Sequence, residues 1–242
     1  PSGVKGLKDG VSALLLALAR KNLIIARELL AAGATVDLAM GEERATVLME
    51  AAGNNMLDAV RLLFEFNANP NVVNKNGAPA LYCAAENGHA AMTRLIVEHG
   101  ADLNVQTVLG YTALHTAAER GHIECVHILL DAGAEIDFKN KNGRTPAKLA
   151  LLFNHSPTLE LLLRYGADAH LAAVLPDMTI ASEEEQEECG GILGALNHRP
   201  SFVHLLADHG GICQKEELDC HASFNGCTQV LRALRQVGCD AW

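Results

Sequence analysis

The feature that most constrains this chain is that it repeats itself every 33 residues. Three stretches align: NGAPALYCAAENGHAAMTRLIVEHGADLN (76–104), LGYTALHTAAERGHIECVHILLDAGAEID (109–137) and NGRTPAKLALLFNHSPTLELLLRYGADA (142–169). The slot held by Pro79, Thr112 and Thr145 advances by 33 each time, and the pattern reaches back to Thr46 and Ser12. A second register lies 21 residues further on, through Gly33, Asn67, Gly100, Gly133 and Gly166. Two agreeing registers define five units. A period of this length predicts stacked supersecondary units, none of which can bury its apolar face alone.

Unit four shows the logic of one copy. The Thr112 hydroxyl is placed to cap a first helix. Ala117 and Ala118 are small where first helices must stack closely. Gly121-His122 breaks the chain between helices. Val126, Leu129 and Leu130 form the apolar stripe of a second helix, and Gly133 ends it as a C′ glycine.

These residues, TALHTAAERGH and LLDAGAEID with their cognates in the other units, resemble the ankyrin repeat. The resemblance covers about residues 9–169. It implies an all-α fold, an ankyrin-type α-solenoid of stacked helix-turn-helix repeats with β-hairpin fingers. The repeats fall at about 9–39, 40–73, 74–106, 107–139 and 140–169. Beyond them GGILGALNHRPSFVHLLADHGG (190–211) fits in degraded form, with Gly210 as C-cap and Cys189 in the Thr slot. From Thr145 to Cys189 is 44 residues, so an insertion falls in 170–188. FNGCTQVLRALRQVGCDA (224–241) fits again through Gly226 and Gly238. We read 189–212 and 213–242 as divergent repeats of a single domain spanning 1–242. The alternative is a small helical appendage docked on unit five.

Composition agrees with close-packed helices. Hydrophobic residues make 49% of the 242, aromatics only 4%. That disfavours aromatic-rich β-sandwiches and excludes a disordered chain. No apolar run reaches the ~18 residues of a membrane helix, so membrane insertion is not expected. No signal peptide is evident, and the start at Pro1 without Met is read as that of an excised segment. Nineteen Lys and Arg against 29 Asp and Glu leave a net charge of −10, which argues against nucleic acid as partner. Seven irregularly spaced cysteines fit free thiols in a reducing compartment, so a cytoplasmic location is expected, with the nucleus as alternative.

The resemblance implies binding through finger tips and exposed first-helix residues. In unit four these are Gln106, Val108, Leu109, Tyr111, Glu119 and Arg120. Unit two offers Glu42 and Glu43, unit three Lys75, Asn76 and Ala78, and unit five Lys139, Lys141, Asn142 and Arg144. The tips therefore run acidic, basic, apolar, basic. Val108, Leu109 and Tyr111 stand out because exposed apolar clusters mark interfaces; the competing reading packs them on neighbouring fingers. Inner-helix slots add Tyr82, Glu86, Asn87, His115, Leu152 and Phe153. Leu152-Phe153 is either a second contact point or a patch covered by the 170–188 insertion, and covering is the preferred reading. The run from Ser182 to Glu188 reads as a helix start or an acidic lip.

Catalysis is not expected. There is no G-x-x-x-x-G-K-S/T, G-x-S-x-G or H-E-x-x-H pattern. The Ala51-Ala52, Ala84-Ala85 and Ala117-Ala118 pairs leave no room for a deep pocket. The resemblance makes His115 and His122 framework groups. Cys213, Cys220, His221, Cys227 and Cys239 lack the close pairs of a zinc site, so neither metal nor cofactor is expected. The function that follows is a non-enzymatic scaffold, expected to be monomeric, that binds a partner protein or peptide. The alternative is a regulatory or targeting segment of a larger enzyme, ubiquitin-ligase adaptor or channel.

Overall fold

A computed structural model describes residues 12–173, 204–206, 208 and 209. Five helix pairs follow one another: α1 (Ala13–Ala19) and α2 (Leu23–Ala31), α3 (Val47–Gly53) and α4 (Leu57–Glu65), α5 (Ala80–Glu86) and α6 (Ala90–Glu98), α7 (Ala113–Arg120) and α8 (Ile123–Asp131), α9 (Pro146–Leu152) and α10 (Ser156–Arg164). A short α11 (Ala169–Ala173) comes next. Helices of 7–9 residues are too short to hold in water by themselves, so packing must hold them.

The chain groups into two compact units, Pro1–Ala117 with His127–Glu135, and Ala118–Val126 with Ile136–Trp242. In the first, α1 packs on α2, α3 on α4 and α5 on α6, while α1 meets α3, α3 meets α5 and α2 meets α4. In the second, α9 packs on α10 and on α11. Ala51, Ala52, Ala84, Ala85, Ala117 and Ala118 are all fully buried. A larger side chain at any of them would push helices apart.

The repeated slots perform the expected local chemistry. Ser12, Thr46 and Thr145 hold extended backbone, and their hydroxyls accept the N–H of Leu15, Met49 and Lys148. Pro79 fills the slot without a side-chain cap. All five residues of the second register have positive φ, from 58° at Asn67 to 92° at Gly166. At Gly133 this lets Gly133 N–H reach Leu130 O and Ala134 N–H reach Leu129 O, both at 2.9 Å, closing the helix end.

Two further ladders tie copies together; the resemblance had marked the histidine one through His122, but not the one made by Asp and Asn side chains. Asp37 accepts the Asn69 N–H, Asn71 that of Asp102, and Asn104 that of Glu135; in the second unit Asp137 accepts that of Asp168. The histidine of the helix break donates from Nε2 to a carbonyl one copy back: His89 to Gly53 at 3.0 Å and His155 to Glu119 at 2.9 Å. His122 occupies the same slot in unit four.

Two features differ from expectation. The fingers close as tight turns, and the described residues show only single antiparallel bridges, Met40 with Ala45 and Val73 with Pro79. A helix, α11, starts straight after Asp168, whose carboxylate takes the Leu171 N–H at 3.4 Å, and runs into the first residues of the expected insertion. The rest of 170–188 lies outside the described residues, as do Ser182–Glu188 and the C-terminal cysteines with His221. Of the divergent repeats, only residues near Leu206 are described. There His209 Nδ1 meets Leu205 O at 2.9 Å, as His99 Nδ1 meets Leu95 O at 2.8 Å.

Candidate interaction surface

The fingers are built on a side-chain hinge. In the third, Asn74 Oδ1 accepts the N–H of both Asn76 and Ala78 at 2.9 Å, and Gly77 N–H reaches Asn74 O at 3.0 Å. An Asn side chain that mimics a turn in this way is the usual reason for Asn at such a position. In the fourth, Thr107 takes that role, accepting the Tyr111 N–H at 3.1 Å.

Neighbouring fingers of the first unit are sewn together. Lys75 N–H donates to Glu43 O at 2.9 Å, the Lys75 ammonium pairs with the Glu43 carboxylate, and Asn76 Nδ2 reaches Glu43 Oε2 at 3.3 Å. The acidic second tip and basic third tip thus partly neutralise each other instead of standing as separate charges. Val108 N–H donates to Asn76 O at 2.8 Å. A Cβ on Gly77 would stand 3.1 Å from Thr107 Cα and 3.2 Å from Gln106 O, so this close approach requires glycine.

The apolar tip survives as exposed surface. Val108 is 51% and Leu109 65% exposed, although their backbone is held. Tyr111, expected on the open finger, is half-buried, with its ring 5.6 Å from that of His115. The chain there is already turning into α7, which draws the ring inward. His115 itself is fully buried and bonded to Thr112, so it is not an inner-surface contact. Ala78 is buried too. Tyr82 and Glu86 are half-buried, and both make further interactions. Asn87 is exposed, with Nδ2 donating to Cys83 O at 2.9 Å. Burial, and then the charges of Glu86 and Glu50, push the Cys83 thiol up to about 11. At neutral pH it is a protonated packing group and not a nucleophile.

In the second unit, Lys141 and Arg120 are exposed, while Arg144 and Glu119 are half-buried. The Glu119 carbonyl is engaged by His155. Phe153 is 50% exposed and Leu152 half-buried; most of the segment expected to cover them lies outside the described residues. The predicted contact residues therefore fall in two groups. Lys75, Tyr82, Val108, Leu109 and Tyr111 lie in the first unit, and Glu119, Arg120, Lys141, Arg144 and Phe153 in the second.

Sequence reasoning passed over one exposed set. Ile24 is 78%, Ile25 51% and Leu38 49% exposed in the first repeat. Ile25 stands in the slot of Ala59, Met92, Cys125 and Thr158, all buried. Comparing copies would have marked Ile25 as a stacking residue left open in the first one.

Among the described residues no His, Cys, Asp and Glu cluster could hold a metal ion. No helix there is long and apolar enough to cross a membrane. A family model described as ankyrin repeats (3 copies) matches residues 14–107, 48–140 and 100–173. No curated protein matches the chain.

Proposed function

The chain belongs to the ankyrin-repeat family, whose repeats generally mediate protein–protein interaction, and on that premise we propose a non-enzymatic scaffold that engages its partner through the fourth finger. The observation that carries this is the exposed Val108-Leu109 pair. The same two tip positions hold Lys75-Asn76 in the third repeat and Lys141-Asn142 in the fifth. An apolar pair there contributes nothing to solubility, and its backbone is fixed by Asn76 and by the Thr107 turn. A tip held this way loses little ordering entropy when it enters an apolar pocket. Lys75 and Tyr82 belong to the rim of this site. Arg120, Lys141, Arg144 and Phe153 form a second contact group in the other unit. The partner is a protein or peptide, and the compartment is the cytoplasm, in keeping with the free thiol of Cys83. The same scaffold serves equally as the targeting segment of a larger enzyme, adaptor or channel.

The test is capture of partners by the wild type and by a Val108→Ala/Leu109→Ala variant, with affinity measured for any captured protein. Truncating two half-exposed aliphatic side chains at a hot spot costs about 2 kcal/mol, roughly 30-fold in Kd. Unchanged affinity with an intact far-UV spectrum would remove this finger from the interface.

A further inference from the structure

Two fingers of this protein carry the same four residues, Asn74-Lys75-Asn76-Gly77 and Asn140-Lys141-Asn142-Gly143. They fold into the same turn. Asn140 Oδ1 accepts the N–H of Asn142 at 3.0 Å and of Arg144 at 2.9 Å, and Gly143 N–H reaches Asn140 O at 2.9 Å. These bonds match those in the third finger. Both tip asparagines, Asn76 and Asn142, are exposed. An Asn-Gly pair has a characteristic reaction. The glycine nitrogen, once deprotonated, attacks the asparagine Cγ, the new C–N bond closes a succinimide, and ammonia leaves. Water then opens the ring at one carbonyl or the other, giving aspartate or isoaspartate. The step needs only water and base.

Local sequence predicts the same rate for both sites, and the surroundings break the tie. Asn76 is held at both ends. Its Nδ2 donates to Glu43 Oε2 and its carbonyl accepts the Val108 N–H. Gly77 is hemmed in by the backbone of residues 106–108, with hypothetical Cβ contacts of 3.1–3.2 Å. Closing the ring there means rotating a pinned side chain and a pinned peptide against fixed neighbours. Asn142 has no such restraint. Among the described residues nothing bonds its side chain or its carbonyl, and a Cβ on Gly143 would meet nothing within 4 Å. The flanking Lys141 and Arg144 also favour the anionic nitrogen from which attack begins.

We propose that Asn142-Gly143 is a spontaneous deamidation site, and that the identical Asn76-Gly77 is protected by its contacts with Glu43 and Val108. The product adds a negative charge to the most basic finger, beside Lys139, Lys141 and Arg144. As isoaspartate it also adds a methylene to the backbone of a turn that Asn140 holds at three points. The fifth finger thus carries a built-in chemical clock that rewrites its charge with age. The inference stands whether or not that finger binds a partner.

The experiment is prolonged incubation of the whole chain at mildly alkaline pH. Peptide mass spectrometry then follows amide loss at each site, and enzymatic methylation detects isoaspartate. We expect Asn142 to convert several-fold faster than Asn76 in the folded protein. The two rates should converge in urea, and Glu43→Ala should narrow the gap by speeding Asn76. Equal rates in the folded state, a faster Asn76, a gap that persists in urea, or protection of both sites by folding would each overturn the proposal.

Discussion

Thr112 and Thr145 occupy the same N-cap slot, yet their hydroxyls do unequal work. Thr145 accepts the Lys148 N–H at 3.3 Å. Thr112 accepts the His115 N–H at 3.4 Å, while its own Oγ1 lies 2.8 Å from His115 Nδ1. Because the Thr112 N–H also points at Nδ1, at 3.2 Å, that nitrogen acts as the acceptor and the hydroxyl as donor. Valine keeps the branched shape and removes only the hydroxyl. At Thr145 the loss is one cap, about 1 kcal/mol. At Thr112 the fully buried His115 loses one of its two Nδ1 donors as well, adding about 1 kcal/mol for the bond. Thr112→Val should therefore cost about 2 kcal/mol and Thr145→Val about 1. That corresponds to a fall in Tm of roughly 4–8 °C against 2–4 °C for a chain of this size. Urea unfolding followed by circular dichroism measures both, and Thr46→Val, where Met49 replaces the histidine, should track Thr145. If Thr112→Val costs no more than Thr145→Val, the His115 bond contributes nothing and the reasoning fails.

Other substitutions test the close approach and the ladders. Gly77→Ala combines positive φ with backbone clashes and should cost about 3 kcal/mol, with faster amide exchange at Val108. Gly100→Ala, equally left-handed but facing open space, should cost only about 1 kcal/mol. Asp37 and Asp137 are both raised above the ordinary carboxylate range, chiefly by burial, against the lowering pull of the Asn69 and Asp168 N–H groups. Folding thus favours their protonated forms, a contribution present below the unfolded value and lost as pH rises through the folded one. An Asp37→Asn/Asp137→Asn variant, copying Asn71 and Asn104, should gain stability relative to wild type between acid and neutral pH; a relative loss over that interval would contradict the burial argument. Cys83, with its thiol raised to about 11, should resist iodoacetamide at pH 7.5 in the folded protein and label readily in urea.

Much of the fold was legible because it rests on slots that recur with the period. A hydroxyl at the N-cap, paired alanines, a break and a left-handed residue are local requirements, and Ser12, Ala84, Gly121 and Gly133 each announce one. Lys21 shows the limit. It adopts φ 56° at the inter-helix turn, where no glycine or asparagine advertised it, because its position in the repeat demands that conformation. The candidate site was half legible. Val108 and Leu109 stood out against Lys-Asn in two sister copies, and the structure leaves them exposed. Tyr111, Ala78 and His115 looked similar in register but are drawn inward by the turn into a helix. The Glu43–Lys75 pair lies 32 residues apart in sequence and meets only when successive fingers lie side by side.

What the sequence determined by itself was the repeating unit, since caps, stripes and turns depend on residues a few positions apart. What the tertiary structure decided was the fate of identical pieces. Asn-Lys-Asn-Gly occurs twice and turns the same way twice, but one copy is pinned by Glu43 and Val108 while the other stands open. Local chemistry sets the conformation of such a turn, and only its neighbours in space set what happens to it.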